Sequence, residues 1–168
     1  MRKKIMCYII SGYLIILPIL GAKNVSANAR ISIQSWNLVD SGKHMDWEGS
    51  SKYLTEFKSA VKIWENHISG IIRKKTEQTR LDLTISDYNS LDGVSGITYS
   101  NGNMRFNTAY YVFYSKEQRI NVCLHELGHA LGLDHNQKGD VMYKDTTYQT
   151  QLSSNDKLSH SYLFNCIY

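Results

Sequence analysis

The hydrophobic positions change period several times along the chain, and each change predicts an element. From Ile5 to Leu20 they run almost unbroken. Ile31 and Ile33 then alternate with polar neighbours up to Gln34-Ser35-Trp36, which predicts a first strand, and Ser41-Gly42-Lys43 predicts a turn. From Ser50 to about Arg73 the period lengthens. Tyr53, Phe57, Ala60, Val61, Trp64, Ile68 and Ile71 recur every three or four residues, one face of a long helix capped by Ser50 or Ser51. Glu65 and His67 fall off that stripe and are expected at the surface, and the polar run Lys74 to Arg80 leads out.

Leu81-Asp82-Leu83-Thr84-Ile85 alternates strictly, as a half-buried strand does. A loop through Asp87, Asn89, Asp92 and Gly93 follows. Two short extended stretches, Gly96 to Ser100 and Met104 to Asn107, flank Asn101-Gly102, the residue pair of a tight hairpin turn. The aromatic run Tyr110 to Tyr114 leads to Ser115, with Gln118 three residues on, a capping-box pair that starts a helix from about Lys116 to Leu131. Residues 136–148 read as loop. Ser153 or Ser154 caps a last helix reaching about Phe164, with Leu158, Tyr162 and Leu163 on its apolar face. Strand, helix, strands, helix, loop and helix in that order predict an α+β domain with helices packed on a mixed sheet.

The first apolar run has a different meaning. It follows Met1-Arg2-Lys3-Lys4, is broken by Ser11, Gly12 and Pro18, and ends near Ala27-Asn28-Ala29. A basic start, a short apolar middle and small residues two apart describe an export signal over residues 1–29, cut after Ala29 or after Ala27; the run is short for a span of ~20 apolar residues. That changes the charge reading. The formal net charge of +4 belongs to this segment, whose Arg2, Lys3, Lys4 and Lys23 have no acidic counterpart. Residues 30–168 carry basic and acidic residues in equal number, so nothing in the charge points to nucleic acid. Those residues suit one catalytic-sized domain, expected to be a secreted monomer with no membrane contact once the signal is removed. The only proline, Pro18, and Cys7 leave with the signal, and Cys123 and Cys166 remain either as a disulfide or as two small buried residues. His44 and Asp46, a pair in a polar loop, read as solvated rather than as metal ligands.

Chemistry concentrates in His125-Glu126-Leu127-Gly128-His129-Ala130-Leu131-Gly132-Leu133-Asp134-His135. Residues four apart project from one helix face, so His125 and His129 can grip one Zn²⁺ at ~2.0–2.1 Å. Glu126 can reach a water at such a metal without ligating it. Gly132 can adopt positive φ, end the helix and bring His135 round as third ligand. Three protein ligands leave one position open, as in catalytic zinc sites.

This spacing resembles the metzincin zinc endopeptidases, and among them the matrixins. Asp140-Val141-Met142-Tyr143, seven residues beyond His135, is similar to their Met-turn. The resemblance implies a metzincin-like zincin domain, with a twisted mixed sheet, an active-site helix, a Met-turn and a C-terminal helix. It implies Met142 as an apolar floor under one catalytic zinc, Tyr143 in the wall of the S1′ pocket, and Asp156 supporting the Met-turn. Ala60 to Trp64 is similar to the family's first helix and Asp92-Gly93 through Asn107 to its hairpin. There, Gly96, Ile97, Thr98 and Tyr99 correspond to the edge that pairs with an extended protein or peptide substrate, a use that exposed strand edges suit physically.

The departures are informative. Gly96 to Asn107 holds no histidine, so no second zinc is expected and structural calcium is not counted on. No cysteine-switch propeptide is expected between residue 30 and the domain. Asn136 stands for a serine, Lys144 for a proline, and Asn155 for the aspartate that pairs with a new N-terminal ammonium. These suit a small, reduced relative of bacterial type. The expected function is a secreted zinc endopeptidase with Glu126 as general base. The alternatives are a zinc-binding but non-catalytic module of the same fold, and another class of zinc hydrolase. A degenerate module would be expected to lose Glu126 or a ligand, and other H-E-x-x-H hydrolases lack a histidine at the His135 position or take a glutamate from a later helix, so Gly132, His135 and Met142 point away from them.

Overall fold

The computed structural model describes residues 29–168. The export signal expected at residues 1–29, and Cys7 within it, lie outside the described residues except for Ala29. The elements follow in the order β1 (Met45–Gly49), α1 (Leu54–Glu65), β2 (Ile72–Lys74), β3 (Leu83–Tyr88), β4 (Gly96–Thr98), β5 (Asn103–Asn107), α2 (Lys116–Ala130) and α3 (Ser154–Cys166). The strands form one sheet in the order β2-β1-β3-β5-β4, parallel throughout except that β4 runs antiparallel to β5. The architecture is the α+β mixed sheet expected, and β4 is left as an edge.

Aromatic packing fastens α1 to the sheet. Trp47 meets Phe57 edge-on at 4.8 Å, and Tyr53 stacks on Phe106 at 5.2 Å. Helix α1 is tied to α2 by the Trp64 indole N–H, which donates to the Leu124 carbonyl at 3.1 Å, and by the ion pair of buried Glu56 with Arg119 at 2.9 Å. The free thiol of Cys123 lies fully buried in this core. Of the two fates considered for it, the small buried residue is the one realised, and a Cys123–Cys166 bond does not form.

Three expectations need correction. The first strand is not at Ile31–Trp36. That segment makes only an isolated bridge, Ile33 with Leu133, and lies along the end of α2, where the Gln34 and Leu38 amides donate to the Gly132 and Ala130 carbonyls. The true first strand, β1, occupies a stretch read as polar loop. It lies inside a parallel array, where alternation fades, and its Asp46 is buried against Arg73 of β2 at 2.6 Å, directly opposite in register. Second, the helix from Ser50 ends at Glu65, not near Arg73. The Glu65 carboxylate turns back to accept from the Gly70 and Ile72 amides at 2.5 and 2.6 Å, with Gly70 at φ +87°. Ile68 and Ile71 continue the three-and-four spacing into a turn and β2, a case in which periodicity alone cannot separate helix from buried strand. Glu65 thus forms the turn from a half-buried position, and His67, also half-buried, contacts His160 of α3 at 5.5 Å between ring centroids. Third, neither Ser50 nor Ser51 is the N-cap of α1. Tyr53 occupies that position, while the Ser51 hydroxyl accepts from the Tyr53 amide and donates to Asp87.

The strand begun at Leu81 is displaced two residues to Leu83 and runs on to Tyr88. The hairpin turn lies at Asn101-Gly102, with Gly102 at φ +86°, and the α2 capping box is present in both directions. Ser153 caps α3 with a capping box of its own, closed by Asp156.

Candidate active site

Helix α2 carries two kinds of residue on two faces. Val122, Cys123, Leu124 and Leu127 are buried in the core, and His125 and His129 turn towards a cleft. The helix ends in a Schellman arrangement. The Gly132 amide donates to the His129 carbonyl and the Leu133 amide to the Gly128 carbonyl, with Gly132 at φ +98°. A residue with a Cβ would be strained there, and its Cβ would press on Asn37 at 3.0 Å. The reversed chain delivers His135, whose ring centroid lies 5.1 Å from that of His125 and 5.0 Å from that of His129.

One ligand atom from each of the three histidines falls within 4.8 Å of the others, the single such His, Cys, Asp or Glu group among the described residues. The Nε2 atoms of His125 and His129 are 3.1 Å apart, near the roughly 3.3 Å edge of a tetrahedron with 2.0–2.1 Å bonds. Their Nδ1 atoms face backbone carbonyls, Val141 for His125 and Leu133 for His129, each at 3.0 Å. That fixes the tautomer with Nε2 unprotonated, as zinc binding needs. Burial, and after it the neighbouring His129, push His125 down to about 3, and burial lowers His129 as well, so both present neutral lone pairs. The donor set fits a zinc ion. His44 and Asp46 lie elsewhere, His44 beside Asp40 and Asp46 in its pair with Arg73.

Below the histidines, Met142 is 1% exposed, and its sulfur occupies the space that a Cβ on Gly128 would need. The Met-turn hangs from Asp156. Its Oδ2 accepts from the Val141 amide at 3.0 Å and from the Ser153 amide at 2.8 Å, and its Oδ1 accepts from the Met142 amide at 3.3 Å. Asn155 beside it donates to both Asp140 oxygens, at 3.2 and 3.0 Å, while its own Oδ1 accepts from the Arg30 backbone N–H at 2.8 Å. The asparagine that replaces an aspartate here still holds the N-terminal segment.

Glu126 is 5% exposed, and burial raises its carboxyl to about 7 against the opposing effect of a hydrogen bond from Thr98. It lines, with the three histidines, a cleft of about 530 Å³ whose walls include Gly96, Ile97 and Thr98 of β4 and Tyr143 beyond the Met-turn. Tyr99, 43% exposed, lies outside that lining. Several residues of the site were not singled out by sequence. Gln34 donates to the His129 carbonyl at 2.6 Å, and Trp36 lines the cleft, so the N-terminal segment forms one wall. Ser95 bridges Tyr114 at 2.7 Å and Thr146 at 3.1 Å, joining three loops of the opposite wall. Unlike these, Gly128, whose missing Cβ makes room for the Met142 sulfur, carried a signal as an isolated glycine inside a helix.

A family model of the matrixin peptidases matches residues 32–165. The chain belongs to the matrixin family. No curated protein matches the chain. As a matrixin it has the metzincin-like α+β fold and a function of zinc-metalloprotease type, and the His125, His129 and His135 cluster is where a matrixin metal could bind.

Proposed function

We propose that this matrixin is a secreted endopeptidase that hydrolyses peptide bonds in extended protein or peptide substrates, with zinc held by His125, His129 and His135 and Glu126 as general base. The observation that carries the reading is the buried Glu126 lining the same cleft as three histidines whose ring nitrogens converge. When bound, zinc supplies Lewis acidity that makes a water acidic and polarises the scissile carbonyl. Glu126 takes a proton from the attacking water and delivers it to the leaving amine, a transfer that its place in the cleft beside the three histidines allows. The free edge of β4 can accept a substrate strand, and Tyr143 shapes the pocket beside the scissile bond. Asp156 and Met142 support the metal ligands from beneath. Export is supported by the composition of residues 1–29. Among the described residues no helix is long and apolar enough to cross a membrane.

The test is cleavage of a proteome-derived peptide library by purified protein, with zinc content measured on the same samples and a chelator control. Glu126→Gln is expected to keep one zinc and the fold but to lose about 10²–10⁴-fold in kcat. Bound zinc with no turnover on any peptide by the wild type would instead support a non-catalytic module, and wild-type turnover in Glu126→Gln would remove Glu126 from its role.

A further inference from the structure

The edge strand and the carboxylate beneath it are in direct contact. In β4, residues 96 and 98 share one face because side chains alternate along a strand. On that face Gly96 has no side chain, and a Cβ there would stand 2.9 Å from Glu126 Cγ and 3.1 Å from its Oε1. Two residues on, the Thr98 hydroxyl lies 2.7 Å from Glu126 Oε2 and 3.1 Å from the Glu126 carbonyl oxygen. No other side-chain hydrogen bond reaches the Glu126 carboxylate among the described residues, and none reaches Oε1.

We propose that Thr98 is a positioning residue for Glu126: its hydroxyl anchors Oε2 so that Oε1 is presented to the cleft in one orientation. The inference rests on the reading of Glu126 as the base. Three physical points support it. A threonine side chain has little χ1 freedom, and β4 is held in register on β5 through Gly96 opposite Phe106 and Thr98 opposite Met104, so the hydroxyl is fixed by the sheet. A hydroxyl is a neutral donor, so it orients the carboxylate without cancelling its charge as a lysine or arginine would. Gly96 leaves the space into which Glu126 fits. The carboxylate is thus held at one end by α2 and at the other by the strand on which substrate would dock, so docking and base alignment share one element.

The test compares Thr98→Val, which removes only the hydroxyl from a side chain of equal shape, with Thr98→Ser, which restores it. In the zinc-loaded full protein, Thr98→Val is expected to lower kcat about 10–100-fold, the scale for a misplaced catalytic group, with KM changed less than about twofold. Thr98→Ser should recover kcat to within about threefold of wild type, and zinc content and melting temperature should be unchanged in both. Wild-type kcat in Thr98→Val, a rise in KM alone, or a Thr98→Ser as slow as the valine variant would overturn the proposal. High-resolution crystal structures of zinc-loaded wild type and Thr98→Val decide the same point without turnover. A single Glu126 rotamer in the wild type and several in the variant supports the anchor, and one unchanged rotamer in both overturns it. An inactive wild type would sink the peptidase reading, and the crystallographic comparison would still judge Thr98.

Discussion

At the scale of single residues, the site depends on side chains that are small or absent as much as on those that react. Gly128 lies between Glu126 and His129 in a helix where alanine would ordinarily be the better choice, by roughly 1 kcal/mol. Here the Met142 sulfur fills the space a Cβ would take, so Gly128→Ala forces the Met-turn away from the histidines. We expect that variant to be less stable by about 1–3 kcal/mol, the usual cost of overpacking, and to bind zinc more weakly. Thermal melts and zinc titration would check both, and a more stable variant with unchanged affinity would contradict the packing. The histidine and glutamate positions were legible in sequence because their spacing is set by helix geometry. The partner of Glu126 was not, because Thr98 is brought to it by the sheet and no local pattern marks a threonine in a strand as a donor to a helix.

At the scale of elements, the active-site helix is held in place by α1. Glu56 is 4% exposed and its one charged partner among the described residues is Arg119, whose guanidinium also donates to the Tyr114 carbonyl and lies 4.4 Å over the Tyr111 ring. Removing one partner of a buried pair leaves the other charge uncompensated. Arg119→Met should therefore lower unfolding free energy by about 3 kcal/mol in urea titration, with zinc affinity at the folded baseline little changed, since the partners of Arg119 are Glu56, Tyr111 and Tyr114 and not the histidines. A double variant Glu56→Gln, Arg119→Met should recover part of that loss. The elements themselves were legible where local chemistry marked both ends, as in α2 with its capping box and Gly132, and the hairpin with Asn101-Gly102. They are not legible where the ends are set at a distance. Helix α1 stops because the Glu65 carboxylate folds back onto Gly70 and Ile72, and β1 leaves no strand pattern because its buried Asp46 reads as a loop residue until Arg73 stands opposite it.

At the scale of the whole molecule, α3 meets the chain at the end of α1 through Trp64 and His67, and that seam contains an unusual group. His160 is 1% exposed, meets Trp64 edge-on at 5.1 Å and His67 at 5.5 Å, and among the described residues neither ring nitrogen has a hydrogen-bond partner. Burial, with His67 adding to it, holds its pKa down to about 3 from an ordinary 6.5. The folded state therefore keeps this ring neutral where the unfolded state takes up a proton. The contribution of the neutral His160 ring to stability is complete above pH 6.5, begins to be lost as pH falls through 6.5 and is gone near 3, at up to about 1.4 kcal/mol per pH unit within that window. The zinc-loaded wild type should melt at lower temperature at pH 5 than at pH 7.5. Because an aromatic ring without nitrogens loses no hydrogen bond there, His160→Phe should show a smaller pH dependence, whatever its stability at pH 7.5. Equal pH slopes for the two would show that His160 is not the group responsible.

Sequence alone determined the features whose cause is local. The i, i+4 geometry put His125 and His129 on one face, Gly132 alone could end that helix with positive φ, and Asn101-Gly102 alone could close that hairpin. Together these were enough to indicate zinc chemistry and, by resemblance, the family. Tertiary structure decided what depends on residues far apart in the chain. It set where α1 ends, which strand lies against β2, that Cys123 stays a buried thiol, and that the N-terminal segment lines the cleft through Gln34 and Trp36. It also brought Thr98 under the hand of β5 to within 2.7 Å of Glu126, across 28 residues of chain. Such contacts are set by the packing of the sheet on α2, and packing leaves no periodic mark on either segment.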